Sequence, residues 1–147
     1  MVEGITDYIY LTMFKNFFSL KNISFLPFNG VGKNKEQTKS ILKRLLEIKF
    51  HKRSMLVDAD KAGMDMYNQA KDSAFDTVHN LSEVELENGK KAMMIEDLFS
   101  TEDKKKYNVI KEKRSLGASE LKIHAKVSDF DDETVNNFKK LFEILQD

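Results

Sequence analysis

The segment Ser54-Met55-Leu56-Val57-Asp58-Ala59-Asp60-Lys61-Ala62-Gly63 places a short apolar run directly before two acidic residues. The apolar run over residues 54–58 is typical of a strand that is buried in a parallel sheet. Residues 62–74 then repeat apolar or small side chains at helical spacing, which predicts a helix. A strand followed at once by a helix is the start of a βαβ unit. The segment therefore predicts an α/β fold with a mainly parallel sheet flanked by helices.

The same alternation continues on both sides of this segment. Towards the N-terminus, the patterns predict a helix over 6–19, a strand over 23–28 and a helix over 35–49. Towards the C-terminus, they predict strands over 76–81 and 91–96, with Asn88-Gly89 as the turn between them. Pro27 has no N–H group to donate to a sheet, so we expect the strand over 23–28 at an edge or at a bulge.

The last third of the chain has a helical pattern. Ser100-Thr101-Glu102-Asp103 has the sequence of a capping box, which predicts the start of a charged helix. A final helix is predicted over 133–146, with one apolar face formed by Val135, Phe138, Leu141, Phe142 and Leu145. We expect a single domain over 1–147, with an α/β core over about 1–100 and a helical extension over about 101–147.

Composition excludes several classes of protein. The 147 residues include 24 Lys and Arg, 24 Asp and Glu, and no Cys. The lack of Cys excludes a disulfide scaffold, a thiolate zinc site and a cysteine nucleophile. No apolar run approaches the roughly 20 residues that span a bilayer, and the acidic N-terminus lacks a signal-peptide pattern, so we expect a soluble, cytoplasmic protein without a membrane partner. Small autonomous DNA-binding domains are usually basic, so DNA binding at zero net charge would need local patches, a metal site or another part of a larger protein.

Two acidic residues follow the apolar run in the segment 54–63. Asp58 and Asp60 are two residues apart, so their side chains point to the same side of an extended chain. Open α/β sheets form ligand sites at the carboxyl ends of their strands. Neighbouring carboxylates repel each other unless a cation lies between them, and Mg²⁺ or Mn²⁺ prefers oxygen ligands. The pair predicts a divalent-metal site, and the alternative is that both residues are turn and N-cap positions before the helix.

Three further acids are predicted at the same edge of the sheet. Glu3 ends the first short run, Asp7 lies about one helical turn later, and Glu96 closes the apolar run Met93-Met94-Ile95. Three separate strands would then each bring a carboxylate to one edge. The alternative is that Glu3 and Asp7 are first-turn acids that the helix dipole favours, and that Glu96 is solvated or capping. The agreement between three strands favours the metal site.

Two other features suit phosphate groups more weakly. Gly30-Val31-Gly32-Lys33 follows a predicted strand, and Gly30, Gly32 and Lys33 are candidate phosphate-binding residues because small residues let a phosphate approach the backbone. The stretch lacks the length and the following Ser or Thr of a Walker A loop. Lys104-Lys105-Lys106 suits phosphate contacts, but such a run is more typical of a solvated helix face.

The acidic motifs resemble those of a known family. Val2-Glu3-Gly4-Ile5-Thr6-Asp7-Tyr8, Leu56-Val57-Asp58-Ala59-Asp60-Lys61-Ala62-Gly63 and Ile95-Glu96-Asp97-Leu98-Phe99 are similar, in order and spacing, to the Toprim domain of the OLD-family (overcoming lysogenization defect) ATP-dependent nucleases. Toprim domains, named for topoisomerases and primases, carry a Glu after strand one and an Asp-x-Asp after a later strand, and the third motif points to the OLD branch. The resemblance covers nearly the whole chain. It implies a Rossmann-like Toprim fold and divalent-metal-dependent DNA cleavage by a two-metal mechanism.

The resemblance also implies roles for individual residues. The family's acidic positions, which bind Mg²⁺ or Mn²⁺, match Glu3, Asp7, Asp58, Asp60 and Glu96. Of these, Glu3 and Asp58 are also expected to be catalytic. The family uses a late Lys near the scissile phosphate, for which Lys126 is the preferred candidate and Lys122 the alternative. The expected partners are DNA and an ATPase domain or subunit on the N-terminal side. The expected role is in anti-phage defence or DNA processing. Whether the protein forms a homodimer is left open.

Two departures from the family pattern leave other functions open. No ATPase domain precedes the Toprim-like motifs, and only two residues precede Glu3. One alternative is a non-catalytic Toprim-like regulatory or dimerisation module that binds metal or DNA without turnover. Another is a response-regulator receiver domain, which also has an Asp at the end of a central strand, Mg²⁺ and a late Lys. A receiver needs an acidic pair directly after strand one, however, and Gly4-Ile5 follows Glu3 here.

Overall fold

The computed structural model describes residues 1–27, 52–70, 75–109 and 114–147. The helices there are α1 (Ile5–Phe17), α2 (Lys61–Ala70), α3 (Thr101–Lys106), α4 (Arg114–His124) and α5 (Asp132–Gln146). The strands are β1 (Ser54–Val57) and β2 (Thr77–Asn80), and short 3-10 turns cover Leu81–Glu83, Ile95–Leu98 and Val127–Asp129. The predicted helix over 35–49 and the stretch Gly30-Val31-Gly32-Lys33 lie outside the described residues.

A parallel pair of strands with a helix between them forms the centre of the fold. β1 pairs with β2 in the register Ser54 to Thr77 and Val57 to Asn80, and α2 connects the two strands. Parallel neighbours need such a crossover connection. The predicted α/β class is confirmed, as is the βαβ unit that the segment 54–63 begins.

The N-terminal residues extend this sheet on the other side of β1. Val2 forms parallel bridges with both Leu56 and Pro27. The Leu56 N–H donates to the Met1 carbonyl oxygen at 2.8 Å, and the Val2 N–H donates to the Leu26 carbonyl oxygen at 3.0 Å. The strand predicted over 23–28 is not formed in its described part, because residues 23–26 have no strand pairing and Pro27 makes only an isolated bridge. Among the described residues Pro27 lies outermost, as expected of a residue without an N–H group. The pairings of Val2 with Leu56 and Pro27, like that of β1 with β2, are parallel, so the carboxyl ends of these segments meet at one edge.

The two faces of β1 pack into different apolar clusters. Leu56 belongs to the main core, whereas Met55 and Val57 pack with Met66 of α2 on the opposite face. Alternation of side chains along a strand produces this division, because successive residues point to opposite faces. A strand buried on both faces explains why residues 55–57 are continuously apolar rather than alternating.

The main core is built around aromatic side chains from α1 and α5. Phe14 is completely buried and stacks on Phe138, with 3.7 Å between the ring centroids and 8° between the ring planes. Phe99 and Phe130 pack against Phe14 with centroid distances of 6.0 and 5.1 Å. The last helix thus contributes to the same core as the first helix, and the apolar face predicted for residues 133–146 is buried there.

We expect Phe14→Ala to lower the free energy of unfolding by about 3–5 kcal/mol, because large-to-small changes at buried aromatic positions cost that much. Urea unfolding measures the difference. Phe17→Ala is the matched control, since Phe17 is only half-buried and its ring meets Phe14 edge-on at 5.4 Å. A Phe14→Ala loss no larger than the Phe17→Ala loss would contradict the central place of Phe14 in the core.

A buried polar junction joins α3 to α5. Ser100 caps α3 by accepting the Asp103 N–H at 3.0 Å, as the sequence predicted for this helix start. The Asp103 carboxylate accepts the Thr134 hydroxyl at 2.6 Å and the Asp131 N–H at 2.9 Å. Asn137 connects α5 to two further segments, because its side chain donates to the Leu98 carbonyl oxygen at 3.1 Å and accepts the Glu87 N–H at 2.9 Å. Buried polar groups with satisfied hydrogen bonds fix how these elements pack.

The predicted strand over 91–96 is wrong. Lys91 makes only an isolated antiparallel bridge with Glu85, across the turn that was correctly predicted at Asn88-Gly89, and Ile95–Leu98 is a 3-10 turn. The physical reason is local capping by Asp97, whose Oδ2 accepts the Met93 N–H at 3.0 Å and the Met94 N–H at 3.2 Å. Side chains that bond to nearby backbone groups compete in this way with strand pairing.

Among the described residues, no helix is both long enough and apolar enough to cross a membrane.

Candidate metal centre

The first acids of the site come from the N-terminal segment and the start of α1. Glu3 is half-buried and directly follows Val2, the residue paired with Leu56 of β1. Asp7 is buried in the first turn of α1, and its Oδ2 accepts the Gly4 N–H at 2.8 Å. The bond satisfies a backbone donor that the helix start leaves unpaired. Asp7 is therefore both a capping residue and a carboxylate beside the end of β1.

The second pair of acids follows β1. Asp58 is half-buried just beyond the last strand residue, and Asp60 is exposed at the start of α2. Asp60 Oδ1 accepts the Gly63 N–H at 2.8 Å. The capping alternative considered for these two acids is thus correct for Asp60, and Asp58 makes no such cap in the described hydrogen bonds.

Glu96 lies in the 3-10 turn Ile95–Leu98 and is only 5% exposed. The prediction that Glu96 lies on a third strand is wrong, because Glu96 lies in this 3-10 turn. The turn still reaches the end of β1, because the Ala59 N–H donates to the Met93 carbonyl oxygen at 2.7 Å. Met93 is at the same time held by Asp97, so the Asp58–Asp60 loop and the Glu96 turn are fixed to each other.

Gly63 allows α2 to begin directly against the Asp58 backbone. A Cβ at this position would lie 2.0 Å from the Asp58 carbonyl oxygen and 2.8 Å from its carbonyl carbon. Side chains do not tolerate such distances, so the tight connection from β1 to α2 requires glycine.

Electrostatics couple the acids. The pKa of Asp58 is raised from 3.8 to about 8, first by burial and then by the negative charges of the other four acids, in the order Asp7, Glu3, Glu96 and Asp60. Asp7 and Asp58 also line a small pocket together with apolar residues that include Val2, Leu81 and Ile95. The other four predicted acids therefore all lie close enough to act electrostatically on Asp58 at the end of β1. Carboxylates that repel one another in this way favour either protonation of one of them or a bound cation.

The carboxylates do not form a finished coordination shell. In the described parts of the chain, no group of three or more Asp, Glu or His side chains has the mutual geometry to hold a metal ion. The donor set nevertheless fits Mg²⁺ or Mn²⁺, since all five side chains offer oxygen and hard cations prefer oxygen ligands.

The two candidate lysines lie on the C-terminal side of the chain. Lys122 of α4 is exposed, and its Nζ lies 5.4 Å from the centre of the Tyr8 ring, next to Asp7 in sequence. Lys126 is also exposed, and its backbone N–H donates to Asp129 Oδ2 at 2.7 Å. The weaker phosphate-binding candidates Gly30, Gly32 and Lys33 lie outside the described residues.

Sequence reasoning missed Asn80, the last residue of β2. Its Nδ2 donates to the Asp58 carbonyl oxygen at 3.2 Å, and the residue is only 6% exposed. The signal was present, because Asn80 ends β2, Asp58 directly follows the parallel strand β1, and polar residues at that edge are candidates for a site.

The chain matches no protein-family model, no curated protein and no solved structure. The resemblance of its acidic motifs to the OLD-family Toprim domains therefore stays a prediction.

Proposed function

We propose that this protein is a divalent-metal-dependent DNA endonuclease or nicking domain with a Toprim-like fold. The observation that carries the proposal is the meeting of carboxylates from three separate segments at the carboxyl end of β1. The Ala59 to Met93 hydrogen bond and the Val2 to Leu56 pairing hold those segments together. Phosphodiester hydrolysis is a reaction that a cluster of oxygen ligands supports when it binds Mg²⁺ or Mn²⁺.

In this proposal Glu3, Asp7, Asp58, Asp60 and Glu96 hold the cations. Bound Mg²⁺ or Mn²⁺ supplies two things, an activated water and neutralisation of negative charge on the phosphate. The protein keeps Asp7 and Glu96 buried and Asp60 exposed, so the cluster has an inner wall and an open side. DNA approaches from the open side, where Asp60 and Asp58 lie.

The family resemblance supports DNA as the substrate and a late lysine beside the phosphate. Lys126 is the preferred candidate, and Lys122 the alternative, for offsetting charge that develops in the transition state. At zero net charge the chain has no general attraction for DNA, so we propose that an ATPase domain or subunit supplies much of the DNA affinity. A system in anti-phage defence or DNA processing, and a homodimeric arrangement, are part of the same proposal.

Nicking of supercoiled plasmid tests the proposal. We expect the purified chain to relax the plasmid with Mg²⁺ or Mn²⁺ and to be inactive with EDTA. Asp58→Asn keeps the shape of the side chain but removes its charge. We expect it to reduce the nicking rate by about 10²-fold or more, the size of effect typical when one catalytic group is lost or displaced. Glu143→Gln, an exposed change on α5, is the matched control and should nick like wild type.

Nicking that survives Asp58→Asn would overturn the assignment of the site. The second candidate function is a non-catalytic module that binds metal or DNA without turnover. The absence of a preformed coordination shell among the described acids favours it over a nuclease that is active alone. Metal binding without nicking at high protein concentration would support this second function and overturn the first for the isolated chain.

A further inference from the structure

Asn80 links two segments at the edge of the sheet where the acids meet. It is the last residue of β2 and lies opposite Val57 in the parallel register. Its Nδ2 donates to the Asp58 carbonyl oxygen at 3.2 Å and contacts Met64 Sδ at 3.1 Å. Its Oδ1 accepts the Ser82 N–H at 2.9 Å, which caps the following 3-10 turn. The side chain therefore uses both ends of its amide.

The hydrogen bond from the Asn80 side chain to the Asp58 carbonyl oxygen continues the link between β1 and β2 one residue beyond the end of β1. β1 ends at Val57, so the Asp58 carbonyl oxygen is the first one beyond the paired strand residues. The Asn80 amide reaches that oxygen from the neighbouring strand, and the backbone of Gly63 closes in on it from α2. Two contacts thus fix the peptide that carries the Asp58 carboxylate.

Burial makes this use of an amide costly unless its bonds are made. A buried amide without hydrogen-bond partners lowers the free energy of unfolding by about 1–3 kcal/mol. Asn80 avoids this cost because both ends of its amide are hydrogen-bonded. A Ser, Asp or Asn is equally suited to cap the Leu81–Glu83 turn. Of these three, however, Asp has no N–H to donate and Ser is too short, so only Asn can accept from Ser82 and also donate to Asp58.

We propose that Asn80 is a positioning residue for the metal site, and that it sets the affinity for divalent cations by holding the Asp58 peptide. This inference rests on the proposed metal-binding function. Asn80 touches no ligand itself and acts through Asp58. Outer partners that orient metal ligands typically change metal affinity about 10–100-fold when they are removed.

Asn80→Ser is the test variant, because Ser still caps the 3-10 turn but is too short to donate to Asp58. Glu83→Ala is the matched control. It removes the acceptor of the Asn80 N–H, at 2.8 Å, and the partner of His79, at 3.0 Å, but it leaves the Asn80 amide in place. Both variants are made in the full chain, and thermal unfolding confirms that each is folded at the temperature of the experiment.

Mn²⁺ affinity by isothermal titration calorimetry is the first readout. We expect Asn80→Ser to weaken Mn²⁺ binding by about tenfold or more, and Glu83→Ala to leave the Kd within about twofold of wild type. Equal Kd values for Asn80→Ser and wild type would overturn the proposal, as would equal losses in both variants.

Amide hydrogen exchange without metal is the second readout, and it separates this inference from the proposed function. The Ala59 N–H, bonded to the Met93 carbonyl oxygen, should exchange faster in Asn80→Ser but not in Glu83→Ala. Unchanged exchange at Ala59 would show that Asn80 does not hold the loop and would overturn the inference. A wild-type protein that binds no Mn²⁺ but shows the exchange difference would instead overturn the metal site, and leave Asn80 as a structural residue only.

Discussion

Metal-free Asp58→Asn protein is expected to be more stable than wild type at pH 8, although the same change is expected to remove the proposed metal binding. The pKa of Asp58 is raised to about 8 in the folded state from 3.8, chiefly by burial and then by the surrounding carboxylates. In the unfolded chain the group ionises near its ordinary pKa. Asn has the shape of the protonated acid and never ionises, so it avoids the cost of the buried charge.

The sign of the pH dependence follows from proton binding. Below about pH 4 both states of wild type hold the Asp58 proton, so this group contributes no pH dependence there. Between about pH 4 and pH 8 the unfolded state has lost the proton and the folded state keeps it, so wild-type stability falls as pH rises. Each unit of pKa difference corresponds to about 1.4 kcal/mol, so we expect a gain of at least that size for Asp58→Asn at pH 8.

Thermal unfolding in EDTA at pH 5 and pH 8 measures this effect. The difference in melting temperature between Asp58→Asn and wild type should be larger at pH 8 than at pH 5, and Glu143→Gln should show no such change. Excess Mg²⁺ should raise the melting temperature of wild type but not of Asp58→Asn, because a ligand stabilises only the state that binds it. A variant that is less stable than wild type at pH 8 would contradict the burial of a repelled carboxylate.

Gly63→Ala is expected to have the second large effect, on the connection from β1 to α2. The added Cβ would lie 2.0 Å from the Asp58 carbonyl oxygen, so the start of α2 or the Asp58 peptide must move by more than 1 Å. Forcing extra atoms into a packed site typically costs about 1–3 kcal/mol, and a clash with backbone belongs at about 3 kcal/mol. Because the displaced group carries Asp58, Mn²⁺ affinity should fall as well.

Urea unfolding and Mn²⁺ titration measure the two consequences of Gly63→Ala. Ala62→Gly is the matched control in the same helical turn, where the exposed Ala62 makes no such close approach. It should cost about 1 kcal/mol through helix propensity alone and should leave Mn²⁺ affinity unchanged. A Gly63→Ala protein as stable as wild type would contradict the close contact between α2 and Asp58.

Elements with a strong local pattern could be predicted from the sequence. The helix predicted over 6–19 is α1, the strand over 54–58 is β1, and the strand over 76–81 is β2. The last helix, predicted over 133–146, is α5. In each case the spacing of apolar residues matches the face that is buried, so local pattern and tertiary packing agree.

The context of Glu96 could not be predicted in the same way. Met93-Met94-Ile95 is as apolar as a short buried strand, and periodicity alone does not separate the two. The outcome depends on Asp97, whose carboxylate accepts both methionine N–H groups and is itself held by Lys104 at 3.3 Å. A bond from a side chain to the backbone three or four residues away is a competition that an apolar pattern does not reveal.

The gathering of the acids was predicted from topology, and the details around them were not. Parallel strands bring their carboxyl ends to one edge, so Glu3 and Asp58 were expected together. The contact from Asn80 to the Asp58 carbonyl oxygen depends instead on where each strand ends, to within one residue. Strand ends are the least reliable part of a sequence prediction.

Mn²⁺ titration followed by electron paramagnetic resonance tests the metal site most directly, because the signal of free Mn²⁺ falls as the ion binds. We expect saturable binding to the full chain at pH 7.5 or above, competition by Mg²⁺, and loss of this binding in Asp58→Asn but not in Glu143→Gln. Wild-type protein that leaves the free Mn²⁺ signal unchanged, or that binds Mn²⁺ equally well with Asp58→Asn, would contradict a metal site formed by the acids at the end of β1.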